Sequence, residues 1–157
     1  MNASSLRHRT MARASGVLAL VAAIVASTMA PAGAAEQDEP APFVELVAAS
    51  GQGRLYTADP VEVRNAPSFG LRRVPGQIGF LRRRPFNGST PLYRLKPSAS
   101  ATAWLFTASA TERDRLIAQR WVYEGVAGHI STGSGPGLVR LWRFTNGREW
   151  RLASQYQ

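Results

Sequence analysis

Cysteine is absent from all 157 residues, and lysine is reduced to Lys96 alone against 18 arginines. Without cysteine there is no disulfide framework, no Cys-based zinc site, no thiol nucleophile and no lipid anchor on a Cys. Histidine is almost missing too, with only His8 and His129. No apolar run reaches the roughly 20 residues that cross a bilayer; the longest runs from Gly16 to Ala26. What is present is a chain 45% apolar, too apolar to be wholly disordered and of a length that makes one domain.

The first 34 residues read as a secretory signal. Arg7, Arg9 and Arg13 precede the short apolar stretch, and small residues follow it up to Ala32-Gly33-Ala34, an A-x-A site that places cleavage before Ala35. The expected localisation is extracellular, with no membrane attachment after cleavage. The formal charge of +9 becomes +6 on removal of that segment. Residues 35–42 hold Glu36, Asp38 and Glu39 among prolines and read as a disordered acidic leader, so the body from Phe43 carries +9. Such a charge favours anionic polymers such as teichoic acids, acidic glycans or nucleic acid, although no pattern for specific nucleic-acid recognition is present. The same excess also suits a GC-rich coding sequence in which Arg is the default basic residue.

The chain repeats itself at an offset of 49. Phe43-Val44-Glu45-Leu46 aligns with Leu92-Tyr93-Arg94-Leu95, and Leu141-Trp142-Arg143-Phe144 follows 49 further on. Leu55-Tyr56-Thr57-Ala58-Asp59 matches Leu105-Phe106-Thr107-Ala108-Ser109, and more loosely Arg151-Leu152-Ala153-Ser154. Gly76 to Leu81 matches Gly125 to Ile130, and the third copy has no such segment.

Capping signals support this register. Asp59 with Glu62, Ser109 with Glu112 and Ser154 with Gln157 each place an N-cap residue three positions before Glu or Gln, the spacing of a capping box. Pro60 suits the first helical position. Each unit therefore reads as strand, strand, helical turn, strand. A short helix is expected near 110–119 with Leu116 and Ile117 facing a core, and only one turn after Asp59. Asn146-Gly147 marks a tight hairpin. The fold class is all-β, with pseudo-symmetric units 43–90, 91–139 and 140–157 sharing one core in a β-trefoil-like arrangement whose third unit is incomplete.

Pro91-Leu92-Tyr93-Arg94-Leu95, then Leu105-Phe106-Thr107-Ala108-Ser109-Ala110-Thr111-Glu112-Arg113-Asp114, then Tyr123-Glu124-Gly125-Val126-Ala127-Gly128, resemble a secreted bacterial and fungal repeat domain of unknown function. Its members show P-L-Y-R-L, F-Y-T-T-S-A-A-E-R-D and Y-E-G-V-A-G. The likeness is close over 91–130 and diverged elsewhere. It implies a role accessory to extracellular peptidases and cell-wall hydrolases. The family's His before F-Y-T is replaced by Arg54, Trp104 and Trp150, and Val74-Pro75-Gly76 stands where the second unit has Tyr123-Glu124-Gly125.

Catalysis finds little support. His129 is the single histidine of the body and reads as a strand side chain, and Ser131 and Ser134 lie in a Gly-rich linker without a nucleophile-elbow context. No ligand spacing recommends a metal, and no cofactor is implied. Glu124 and Glu149 are the one carboxylate pair open to a glycosidase reading, but Glu124 pairs more simply with Arg94. The expectation is a non-enzymatic protein.

Val44, Tyr93 and Trp142, with Leu46, Leu95 and Phe144 two residues on, keep a period of two and read as core. Arg94 and Arg143 point the other way. Arg54, Trp104 and Trp150 begin the second strand of each unit, where a large side chain is less needed for packing. Aromatic faces flanked by Arg and carboxylate groups suit sugar rings, so Trp104, Trp150, Arg54, Arg94, Arg143 and Glu124 form the candidate ligand site. The reading is a secreted binding module for a glycan or cell-wall polymer. The alternatives are a secreted protein-interaction module, such as an inhibitor or surface component, and a polyanion binder acting through Arg clusters.

Overall fold

The computed structural model describes residues 39–154. The signal-like segment 1–34, the leader as far as Asp38 and the Gln157 half of the third cap lie outside the described residues. The described chain is β-rich. It runs β1 (Ala41–Ala48), β2 (Arg54–Thr57), α1 (Pro60–Asn65), a 3-10 turn (Ala66–Phe69), β3 (Leu71–Arg73), β4 (Gly79–Leu81), β5 (Ser89–Lys96), β6 (Leu105–Thr107), α2 (Ala110–Ala118), β7 (Val122–Ser131), β8 (Leu141–Thr145) and β9 (Trp150–Ser154). Because β1 begins at Ala41, the last two residues of the expected leader belong to the sheet, where Ala41 and Pro42 oppose Leu81 and Phe80.

All strand pairs are antiparallel, and three hairpins share one register. Glu45 lies opposite Tyr56, Arg94 opposite Phe106, and Arg143 opposite Leu152. Phe43 faces Gly79 in the first unit and Leu92 faces Gly128 in the second. In the second unit β7 is one strand along β5, whereas in the first β3 and β4 pair separately with β1. Pro75 accounts for the break: it stands where β7 has Glu124, and proline brings no ladder N–H. Gly128 permits close contact between β7 and β4, since a Cβ there would lie 2.9 Å from Leu81 Cβ.

The alternation of each strand places Tyr56, Phe106 and Leu152 together in the core. The rings of Phe43, Tyr56 and Phe106 meet at centroid distances of 5.8–6.0 Å. Tyr56 reaches across to the third hairpin, where its hydroxyl donates to the Leu152 carbonyl at 3.3 Å and accepts from the Leu152 amide at 3.1 Å. A second cluster joins Tyr93, Leu95, Leu105 and Leu116, flanked by Trp121 and Trp150. Only Leu116 of α2 is buried; Ile117, expected to face a core, is exposed.

Both caps form, with an altered division of labour. Ser109 Oγ accepts from the Glu112 amide and Asp59 Oδ1 from the Val61 amide. The glutamates do not reach back to the cap amides, which instead donate to Thr57 and Thr107 hydroxyls. After Asp59 the chain makes more than the single expected turn, α1 continuing into the 3-10 turn. Asn146 closes the last hairpin, its Oδ1 accepting the amides of Arg148 and Glu149.

The third hairpin departs from the core assignment. Val44, Leu46, Tyr93 and Leu95 are buried, but their register equivalents Trp142 and Phe144 are 48% and 55% exposed. The cause lies in topology. β1 and β5 are each paired on both edges, whereas among the described residues β8 pairs with β9 alone.

Candidate binding surface

The released glutamates staple one unit to the next. Glu62 of α1 takes two hydrogen bonds from the Arg94 guanidinium, at 2.8 and 2.9 Å. Glu112 of α2 takes the equivalent pair from Arg143, at 2.9 and 3.0 Å, and Arg143 also donates to the Phe106 carbonyl. Burial works against the Glu62 charge, but Arg94 and Thr57 more than offset it and hold this carboxyl below the usual range. For Glu112 the Arg143 hydrogen bonds dominate over partial burial, with Thr107 adding to the same lowering. Burial likewise opposes the Arg94 charge and its pairing with Glu62 outweighs it.

Three of the six sequence-derived candidates meet in one place. Arg94 Nε lies 3.0 Å from Glu124 Oε2, the same oxygen that accepts from Trp104 Nε1 at 2.9 Å, and Lys96 Nζ lies 3.1 Å from Glu124 Oε1. The Lys96 ammonium sits 5.9 Å from the Trp104 ring. Arg94 and Glu124, with Glu62, Asp59 and Arg83, line a cleft of about 250 Å³. The Trp104 ring is half-buried and packs against the main core.

Arg54, Arg143 and Trp150 lie apart from this cluster. Arg54 pairs with Glu45, and Arg143 is engaged by Glu112. Trp150 packs edge-on against Trp121 with ring centroids 5.2 Å apart. Its neighbour Glu149 accepts the Gly53 amide at 3.0 Å, and a Cβ on Gly53 would lie 2.5 Å from the Thr102 carbonyl. The approaches to β2, β6 and β9 are therefore pressed together at one end of the molecule, and Trp104 and Trp150 contribute to its packing.

The exposed aromatic surface lies on the third hairpin. Trp142 and Phe144 project from one face of β8, since residues two apart share a face. Arg151 stands directly opposite Phe144 and Ala153 opposite Trp142. The Arg140 guanidinium sits 5.9 Å from the Trp142 ring centroid. This face pairs π surface with two guanidinium groups. Sequence reasoning assigned both aromatics to the core because their alternation matches the buried positions of the other hairpins, and alternation alone does not tell which neighbours a strand has.

A cavity of about 370 Å³, sharing Ala58 and Arg83 with the cleft, has apolar walls including Val44 and Val63, and Arg64 and Arg73 also line it, with Glu39 its one carboxylate. His129 lies on β7 opposite Pro91, and its backbone exchanges hydrogen bonds with Arg82. Among the described residues no group of three or more His, Cys, Asp or Glu is placed to hold a metal ion, and no helix is long and apolar enough to cross a membrane.

Fold and surface together define a β-rich domain of several antiparallel sheets with an exposed aromatic face. The chain belongs to the family described as a domain of unknown function, DUF5648, whose model matches residues 42–151. No curated protein and no solved structure matches it.

Proposed function

We propose that this chain is a secreted, non-catalytic binding module for a glycan or cell-wall polymer, accessory to extracellular hydrolases, and that its hairpins follow a β-trefoil-like plan with an open third unit. The observation that carries the reading is the exposed pair Trp142 and Phe144 between Arg140 and Arg151. Sugar C–H groups stack on aromatic faces, while hydroxyl or carboxylate groups take charged hydrogen bonds from neighbouring guanidinium groups. Arg94 and Glu124 offer polar groups in the cleft of about 250 Å³, but their charges already satisfy one another.

Retention on peptidoglycan, chitin and cellulose, measured in moderate and then high salt, tests this. Stacking predicts retention that survives salt and is lost in Trp142→Ala. Failure to bind any of these polymers overturns the proposal.

A second reading has its own support. Arg64, Arg73 and Arg83 form no ion pair among the described residues and line one cavity. An anionic polymer drawn by these groups would be retained at low salt and released at high salt, because exposed charges are screened.

A further inference from the structure

We infer that β8 is a self-pairing edge: two copies of this chain join β8 to β8 in antiparallel fashion about Arg143, giving a symmetric dimer with one continuous four-stranded sheet. Three observations lead here. First, among the described residues β8 is hydrogen-bonded on one edge only, whereas the equivalent strands β1 and β5 are paired on both.

Second, β8 lacks the devices that blunt exposed edges. Proteins protect such strands with proline, bulges or free charges that repel an incoming strand. The segment Leu141-Trp142-Arg143-Phe144-Thr145 has no proline, pairs with β9 without a register shift, and carries one charge. That charge is occupied: Arg143 is held by both oxygens of Glu112 and reaches toward Phe106, away from the aromatic face.

Third, the strand is complementary to itself. Antiparallel pairing centred on Arg143 sets Trp142 opposite Phe144 of the second copy, and the same pair recurs on the other side of the axis. Directly opposed residues on one face have Cβ atoms about 4.5–5.5 Å apart, and aromatic pairs are among the favourable ones. Arg140 falls opposite Asn146 of the second copy rather than opposite a cation. The two Arg143 side chains stand opposite each other, each held by Glu112 of its own chain. A twofold arrangement of this kind uses the same patch on both copies and closes on itself.

The dimer stands on the edge geometry alone; what it adds to ligand binding rests on the proposed function. Edge pairing leaves the outer face of the hairpin open and doubles it. Two Trp142 and two Phe144 rings then line one sheet face, with Arg140 and Arg151 of each copy beside them. A polymeric glycan with repeating rings is the ligand class such a face would take, and each polymer strand would meet two linked sites instead of one.

Two double variants of the full chain, compared with the native protein by sedimentation velocity over a wide concentration range, test the inference. Native protein is expected to sediment as a dimer. Trp142→Lys with Phe144→Lys places Lys opposite Lys across the junction and should weaken self-association at least tenfold. Trp142→Lys with Phe144→Glu places Lys opposite Glu in the same register and should keep the dimer. Both variants alter exposed positions, and a far-ultraviolet circular dichroism spectrum matching that of the native chain verifies that they fold. A native protein that stays monomeric, a Lys/Lys variant that still dimerises, or a Lys/Glu variant that does not would each overturn the inference. Polymer retention of the native chain separates the two ideas: a dimer that binds no glycan removes the proposed function only, and a monomer that binds removes the dimer only.

Discussion

Tyr56 carries more than its share of the fold. Its ring is fully buried, and its hydroxyl satisfies both the amide and the carbonyl of Leu152. Replacing it by Phe keeps the packing and strands two buried backbone groups, a change expected to cost about 1–3 kcal/mol; chemical denaturation measures it. Burial also pushes this phenol up to about 12. A folded value above the unfolded one, near 10, means that the neutral form is favoured in the fold. Its contribution is therefore complete below about pH 10 and lost as pH rises toward 12. Tyr56→Phe should remove that alkaline decline. Ser109→Ala tests the cap in the same way: the Glu112 amide loses its acceptor, and about 1 kcal/mol of stability should go with it.

At the scale of elements, the third hairpin decides how far the sequence can be read. The caps at Asp59 and Ser109 and the Asn146-Gly147 turn are local signals, and local chemistry realises them. Residue exposure is not local. Trp142 has the alternation of a core residue, and only the partners of β8 determine whether a core lies on that side. Trp104 and Trp150 pose the converse problem, since their place at a strand start says nothing of Glu124 or Trp121, which lie 20 and 29 residues away in sequence and hold them against the core clusters. The diversion of Glu62 and Glu112 from cap to staple was equally hidden, because Arg94 and Arg143 belong to the following unit. The Glu–Arg staples yield an expectation of their own. Both carboxyls are held below the usual range, so their contribution is full above the unfolded value of about 4.3 and lost as pH falls through the lower folded values. A thermal midpoint steady from neutral pH to about 5 and falling below about 4 is the result that fits this linkage.

For the molecule as a whole, the parts fall into a closed side and an open one. The first two hairpins are paired on both edges of their central strands; among the described residues the third is paired on one edge of β8 and presents its aromatic face outward. The reading of a binding module follows from that asymmetry. It is tested most directly by comparing Trp142→Ala with Trp104→Ala for both unfolding midpoint and retention on insoluble glycan. Removing a packed Trp costs about 3–5 kcal/mol, whereas an exposed one costs little. The account predicts that Trp104→Ala is clearly destabilised, and that Trp142→Ala unfolds close to the native midpoint but is no longer retained in high salt. Undiminished retention by a stable Trp142→Ala protein would contradict it.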